Sequence, residues 1–118
     1  MPRLTIYQKP TCTTCRSVAK ILKEAHVDFD AVDYYIEPIG KGKLKELLRK
    51  LHLSPRELLR STEPVYRKLQ LSAKSLTDEQ ILDLLVEYPD LLQRPIVEMG
   101  NKAILARPPE RIREMIKE

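Results

Sequence analysis

The chain has 118 residues, 42% hydrophobic and 32% charged, which excludes a disordered polymer and gives one domain able to bury a core without disulfide staples. No apolar run approaches the roughly 20 residues of a membrane span, no signal-peptide core opens the chain, and two cysteines suit a reducing, cytoplasmic setting. The formal charge of +4 lies in the first half, 12 Lys/Arg against 7 Asp/Glu in residues 1–60 and 9 against 10 in 61–118. With no dense basic block and 5% aromatic residues, anions are the expected partners and direct nucleic-acid binding is not.

Residues 3–7 alternate Leu4 and Ile6 with polar neighbours and read as a strand. It leads through Gln8-Lys9-Pro10-Thr11-Cys12-Thr13-Thr14-Cys15 into a helix over about residues 13–25, whose Val18, Ile21, Leu22 and Ala25 form an i, i+3, i+4, i+7 stripe. Pro10 stops the strand, and Thr11 or a neighbour caps the helix. Within residues 27–33 apolar and acidic side chains alternate as far as Ala31, a period of two, so a second strand follows. Strand, helix and strand joined by short connections imply a right-handed βαβ unit with a parallel pair.

From about residue 41 to residue 88 the pattern is helical. Leu44, Leu47, Leu48 and Leu51 give an amphipathic helix with lysines outside. Ser54-Pro55-Arg56-Glu57 reads as a capping box with proline at the first helical position, and a short segment surrounds Tyr66 and Leu69. Thr77-Asp78-Glu79-Gln80 reads as a second box, opening a helix with Ile81, Leu84, Leu85 and Tyr88 on one face. The sheet resumes around Pro95-Ile96-Val97, turns at Gly100-Asn101 and returns through Ala103-Ile104-Leu105. Pro108-Pro109 starts a last helix with Ile112, Met115 and Ile116 inward. The order β-α-β, helical insertion, β-β-α is an α/β, thioredoxin-like arrangement with a mixed four-stranded sheet: one domain over 1–118 with an insertion at about 41–88. In that layout the start of helix one and the loop before the third strand meet at one edge. A cis bond before Pro95 would turn the loop backbone toward Cys12, whereas a trans bond makes Pro95 an ordinary strand starter.

Both cysteines fall in a C-x-x-C spacing, with Cys12 at the helix start and Cys15 one turn inside. The unpaired N–H groups and positive dipole end of a first turn favour thiolate over thiol, and Lys9 and Arg16 flank the pair as further cations. A free cysteine is only about 3% ionised at pH 7, and each unit of depression is worth about 1.4 kcal/mol, so the placement points to a nucleophilic, redox-capable Cys12. Two readings compete. A zinc site needs four ligands, while His26 and His52 stand alone, so no metal is expected; two inert core thiols are the plainer alternative. The strand–loop–helix setting favours redox chemistry over both.

Arg60, Arg94 and Arg107 sit beside turns or prolines, off the solvent faces of helices. Taken singly each is an ordinary surface cation. In the thioredoxin layout Arg94 and Arg107 approach the Cys12 edge, and a thiolate ringed by planar arginine forks describes a site that processes an oxyanion.

Together, Tyr7-Gln8-Lys9-Pro10-Thr11-Cys12-Thr13-Thr14-Cys15-Arg16, Leu58-Leu59-Arg60, Leu76-Thr77-Asp78-Glu79-Gln80, Gln93-Arg94-Pro95-Ile96-Val97 and Ala106-Arg107-Pro108 resemble the glutaredoxin-coupled arsenate reductase family. The resemblance runs end to end, helical insertion included. It implies that Cys12 attacks arsenate, that Arg60, Arg94 and Arg107 hold the oxyanion and the thiolate–arsenic adduct, and that glutathione as co-substrate and glutaredoxin supply the electrons. No bound cofactor is implied. Family members usually carry a histidine two residues before the loop proline and a serine in the second position of the pair; here Gln8 and Cys15 stand there. Cys15 then becomes a resolving thiol, and a Cys12–Cys15 disulfide would be restored by thioredoxin or glutaredoxin. The same C-x-x-C also resembles the Spx-type transcriptional regulators, which share this fold, bind RNA polymerase and use the disulfide as a switch. Retention of all three arginines favours the reductase.

Overall fold

β1 (Leu4–Gln8) is the hub of the sheet, because alternation turns Leu4 and Ile6 into the core while its two edges take different partners. β2 (Phe29–Asp33) pairs with it in parallel, from Leu4 opposite Phe29 to Gln8 opposite Asp33. β3 (Ile96–Met99) runs antiparallel along the other edge, and β4 (Lys102–Leu105) returns antiparallel to β3. The order β2-β1-β3-β4 is the mixed, thioredoxin-like sheet that the sequence predicts. The computed structural model describes residues 3–9 and 11–116; Pro10, the expected strand terminator, lies outside the described residues.

α1 (Thr13–Glu24) makes the crossover between the parallel strands, and its Val18 and Leu22 are fully buried. After β4, a 3₁₀ turn at Pro109–Arg111 precedes α5 (Ile112–Ile116), so the last helix is shorter than its proline start suggests. Leu4, Ile6, Val18, Leu22, Val97, Ala106, Ile112 and Met115 form one core on this face of the sheet. Strand alternation sends Tyr7 and Glu98 to the opposite face, where the buried tyrosine hydroxyl donates to the buried carboxylate at 2.9 Å.

The chain divides into two units, one comprising the part up to Glu37 and from Arg94 onward, the other Pro38–Gln93. The second unit is helical: α2 (Lys41–Leu51), α3 (Pro64–Lys68) and α4 (Asp78–Glu87), with 3₁₀ turns at Pro55–Leu58, Leu71–Ala73 and Pro89–Leu91. Leu44, Leu47, Leu58, Leu71, Ile81, Leu82, Leu85, Leu91 and Leu92 are among its buried apolar side chains. Leu82 therefore takes a core place expected of Leu84, a small rotation of the α4 face. A bridge between Leu59 and Leu92 carries the unit past the expected limit of 88: Arg60 N–H donates to Leu91 O at 2.7 Å and Gln93 N–H to Leu58 O at 2.9 Å.

The two expected capping boxes fare differently. At Thr77 both halves form, Gln80 N–H to Thr77 Oγ1 at 3.2 Å and Thr77 N–H to Gln80 Oε1 at 2.9 Å. At Ser54 no side-chain cap bond forms. The four-residue segment is 3₁₀, and the Glu57 N–H that the hydroxyl would have taken already bonds the Ser54 carbonyl at 3.1 Å.

Candidate functional site

Beyond Gln8 the chain bends back on itself, with Cys12 N–H donating to Lys9 O at 3.0 Å. Cys12, the neighbour of Thr11, is the N-cap of α1. Its backbone is extended (φ −79°, ψ 122°), its Sγ accepts the Cys15 N–H at 3.3 Å, and its carbonyl takes the Arg16 N–H at 3.0 Å. Sulfur thus occupies the place a serine or aspartate oxygen usually takes, with an orphan amide of the first turn aimed at it.

The two thiols are unequal. Cys12 is half-buried and Cys15 is 1% exposed. Burial disfavours the Cys12 thiolate, but hydrogen bonds from the Cys15 side chain and N–H, together with the Arg94 guanidinium, outweigh it and hold the Cys12 thiol below the ordinary cysteine pKa. Cys15 goes the other way. Burial first, and then its hydrogen bond to Cys12, push it up to about 12, against the Lys9 N–H directed at its sulfur. The loop thus favours the anion on Cys12 and the neutral thiol on Cys15.

Arg94 stands just before β3 and is 7% exposed. Burial works against its charge, yet its guanidinium faces Tyr34, Tyr35 and Cys12, and these neighbours raise its pKa so that it stays a cation. Arg107 stands just after β4, is exposed, and donates from Nη1 to the Arg94 carbonyl at 2.9 Å. Ala106 N–H to Pro95 O at 3.0 Å closes the same stem. Both Arg94–Pro95 and Arg107–Pro108 bonds are cis, the second without any forewarning in the sequence. Pro95 itself is buried.

Of the flanking cations, Lys9 places its Nζ 5.0 Å from the centre of the Tyr35 ring, and Arg16 is exposed in the first turn of α1. The groups that depress the Cys12 thiol are Cys15 and Arg94. Arg60 belongs to the helical unit, where its Nε meets Glu63 Oε1 at 3.0 Å. Sequence reasoning missed Tyr34 and Tyr35. Asp33 delivers them: its Oδ1 accepts the Tyr35 N–H at 3.0 Å, and its carbonyl accepts those of Ile36 at 3.0 Å and Glu37 at 2.8 Å. The available signal was a turn-forming acid at the C-terminal end of a parallel strand, followed by two aromatics. Among the described residues no three His, Cys, Asp or Glu side chains gather to hold a metal, and no helix is long and apolar enough to cross a membrane.

Residues 7–115 match the ArsC family. Over 115 residues the chain is 36% identical to the uncharacterized protein YfgD of Escherichia coli K12, covering 97% of each. Over 117 residues it is 32% identical to an arsenate reductase of Neisseria meningitidis, covering 98% of this chain and 100% of that one. Its fold superposes on the structure of an arsenate reductase from Vibrio cholerae with a TM-score of 0.90 at 29% identity, over 96% of this chain and 97% of the other. With the sheet, the helical unit and the thiol loop all inside one match of that extent, the chain belongs to the ArsC family.

Proposed function

We propose that this protein is a thiol-dependent arsenate reductase in which Cys12 is the nucleophile and Cys15 the resolving thiol. The observation that carries the proposal is the Cys12 sulfur at the start of α1, accepting the Cys15 N–H with the Arg94 guanidinium beside it. The substrate is taken from the relatives that bear the name arsenate reductase.

The Cys12 thiolate adds to As(V), and one arsenate oxygen gains two protons and departs as water, leaving an S–As bond. Arg94 and Arg107 neutralise the remaining oxygens. Once the Cys12 charge is spent in that bond, its hydrogen bond and its repulsion no longer hold the proton on Cys15, although burial still does, and that proton becomes one of those the leaving oxygen takes. The Cys15 thiolate then attacks Cys12 Sγ. The S–As electron pair stays on arsenic, which departs as As(III) arsenite, and a Cys12–Cys15 disulfide remains. A dithiol protein such as thioredoxin or glutaredoxin returns two electrons; where glutathione attacks Cys12 in place of Cys15, a mixed disulfide takes the same route.

The test is arsenate-dependent NADPH consumption, run in parallel with glutathione and glutaredoxin and with thioredoxin. Turnover with either donor, lost in Cys12→Ser, is the expected result. Inactivity with both, together with capture of RNA polymerase, would select the Spx-type regulator instead.

A further inference from the structure

Gln8 closes β1, and alternation places its side chain on the same face as Leu4 and Ile6. α1 crosses that face in the opposite direction, burying Leu22, Val18 and Cys15 in turn, so the Cys15 end of the helix stands over the Gln8 end of the strand. The Lys9 N–H directed at the Cys15 sulfur marks the same proximity. On the other side, Tyr7 opposite Ile96 sets Gln8 beside Pro95 and the Arg94 loop. Among the described residues Gln8 Oε1 is buried and accepts no hydrogen bond. A buried acceptor in that condition calls for a donor.

The donor types at this edge suggest which one. A guanidinium offers only N–H groups and therefore matches bare oxygens of an anion; a carboxamide oxygen only accepts and therefore matches an O–H. Tetrahedral anions of arsenic and phosphorus keep a proton on one oxygen near neutral pH, whereas sulfate keeps none. We propose that Gln8 Oε1 accepts a hydrogen bond from the protonated oxygen of the bound anion, so that the site takes hydrogen-bearing tetrahedral oxyanions in preference to sulfate. The proposal rests on the oxyanion reading above and adds the element that discriminates among oxyanions.

Protection of the Cys12 thiol from iodoacetamide, measured on the full chain at pH 7 with phosphate or sulfate as competitor, tests it without turnover. Phosphate is expected to protect at about one-tenth the concentration of sulfate, the ratio that one ordinary hydrogen bond supplies. Gln8→Leu removes the acceptor and brings the two anions to parity. Gln8→Glu keeps an acceptor oxygen and adds charge, so both anions weaken while phosphate retains its advantage. Equal protection in the wild type, an unchanged preference in Gln8→Leu, or a preference lost equally in Gln8→Glu would overturn the proposal. Protection by neither anion would overturn it together with the oxyanion reading.

Discussion

The helical unit and the sheet unit put the same residue types to different use. In Pro38–Gln93, Lys41 bridges Glu79 at 2.6 Å and Asp83 at 2.9 Å, and Lys45 meets Glu79 at 3.0 Å, all on largely solvated side chains. Water already satisfies such charges, so their pairing adds little. In the sheet unit, Arg94 is withdrawn from water and its guanidinium acts on a sulfur and two tyrosines. Burial, more than the number of charges, separates a decorated surface from a site that sets a thiol's ionisation.

The largest expected effect belongs to the sheet unit: Cys12→Ser abolishes arsenite formation. Cys15→Ser spares turnover with glutathione and glutaredoxin but stops it with thioredoxin, and equal losses with every donor would show that both sulfurs are obligatory. Next comes Arg94→Ala. The midpoint of Cys12 alkylation rises toward that of free cysteine, so the thiolate fraction and alkylation rate at pH 7 fall, and kcat/KM for arsenate drops on the order of a hundredfold. An unshifted alkylation midpoint would erase the contrast between the units.

Smaller effects test the helical unit. Thr77→Ala is expected to lower stability in urea by about 1 kcal/mol, whereas Ser54→Ala changes it by less than about 0.5 kcal/mol, because only the first hydroxyl caps a helix. A comparable loss at both sites would mean that the Ser54 box forms in solution. At the bottom of the scale, Lys41→Ala should leave the urea midpoint and the Cys12 alkylation profile where they were.

What the sequence made legible was local. Val18 and Leu22 at helical spacing and the Thr77 box each report on neighbours a few residues away and appear as read, while the strand read over 27–33 begins only at Phe29 and leaves Ala31 exposed. The C-x-x-C pair was legible for the same reason, although the sulfur's role as its own cap was not. Ser54 failed because identical box residues meet a 3₁₀ segment whose amide is already taken. Arg94 and Arg107 could be suspected from their prolines, but the Arg107 bond to the Arg94 carbonyl spans 13 positions and has no local signature. Tyr34 and Tyr35 reach Arg94 through a turn and across the sheet edge, a distance that periodicity does not encode.

Arg94 and Arg107 stand at the two feet of one hairpin, joined by Arg107 Nη1 to Arg94 O and by Ala106 N–H to Pro95 O. The opposite tip is Gly100, with φ of 61°, four strand residues or roughly 13 Å away. Because the ladder between them fixes the spacing of the feet, a short fluorophore-bearing graft at the tip should report on the hairpin without disturbing the arginines. The same fold would then carry an optical handle where its chemistry is least exposed to it.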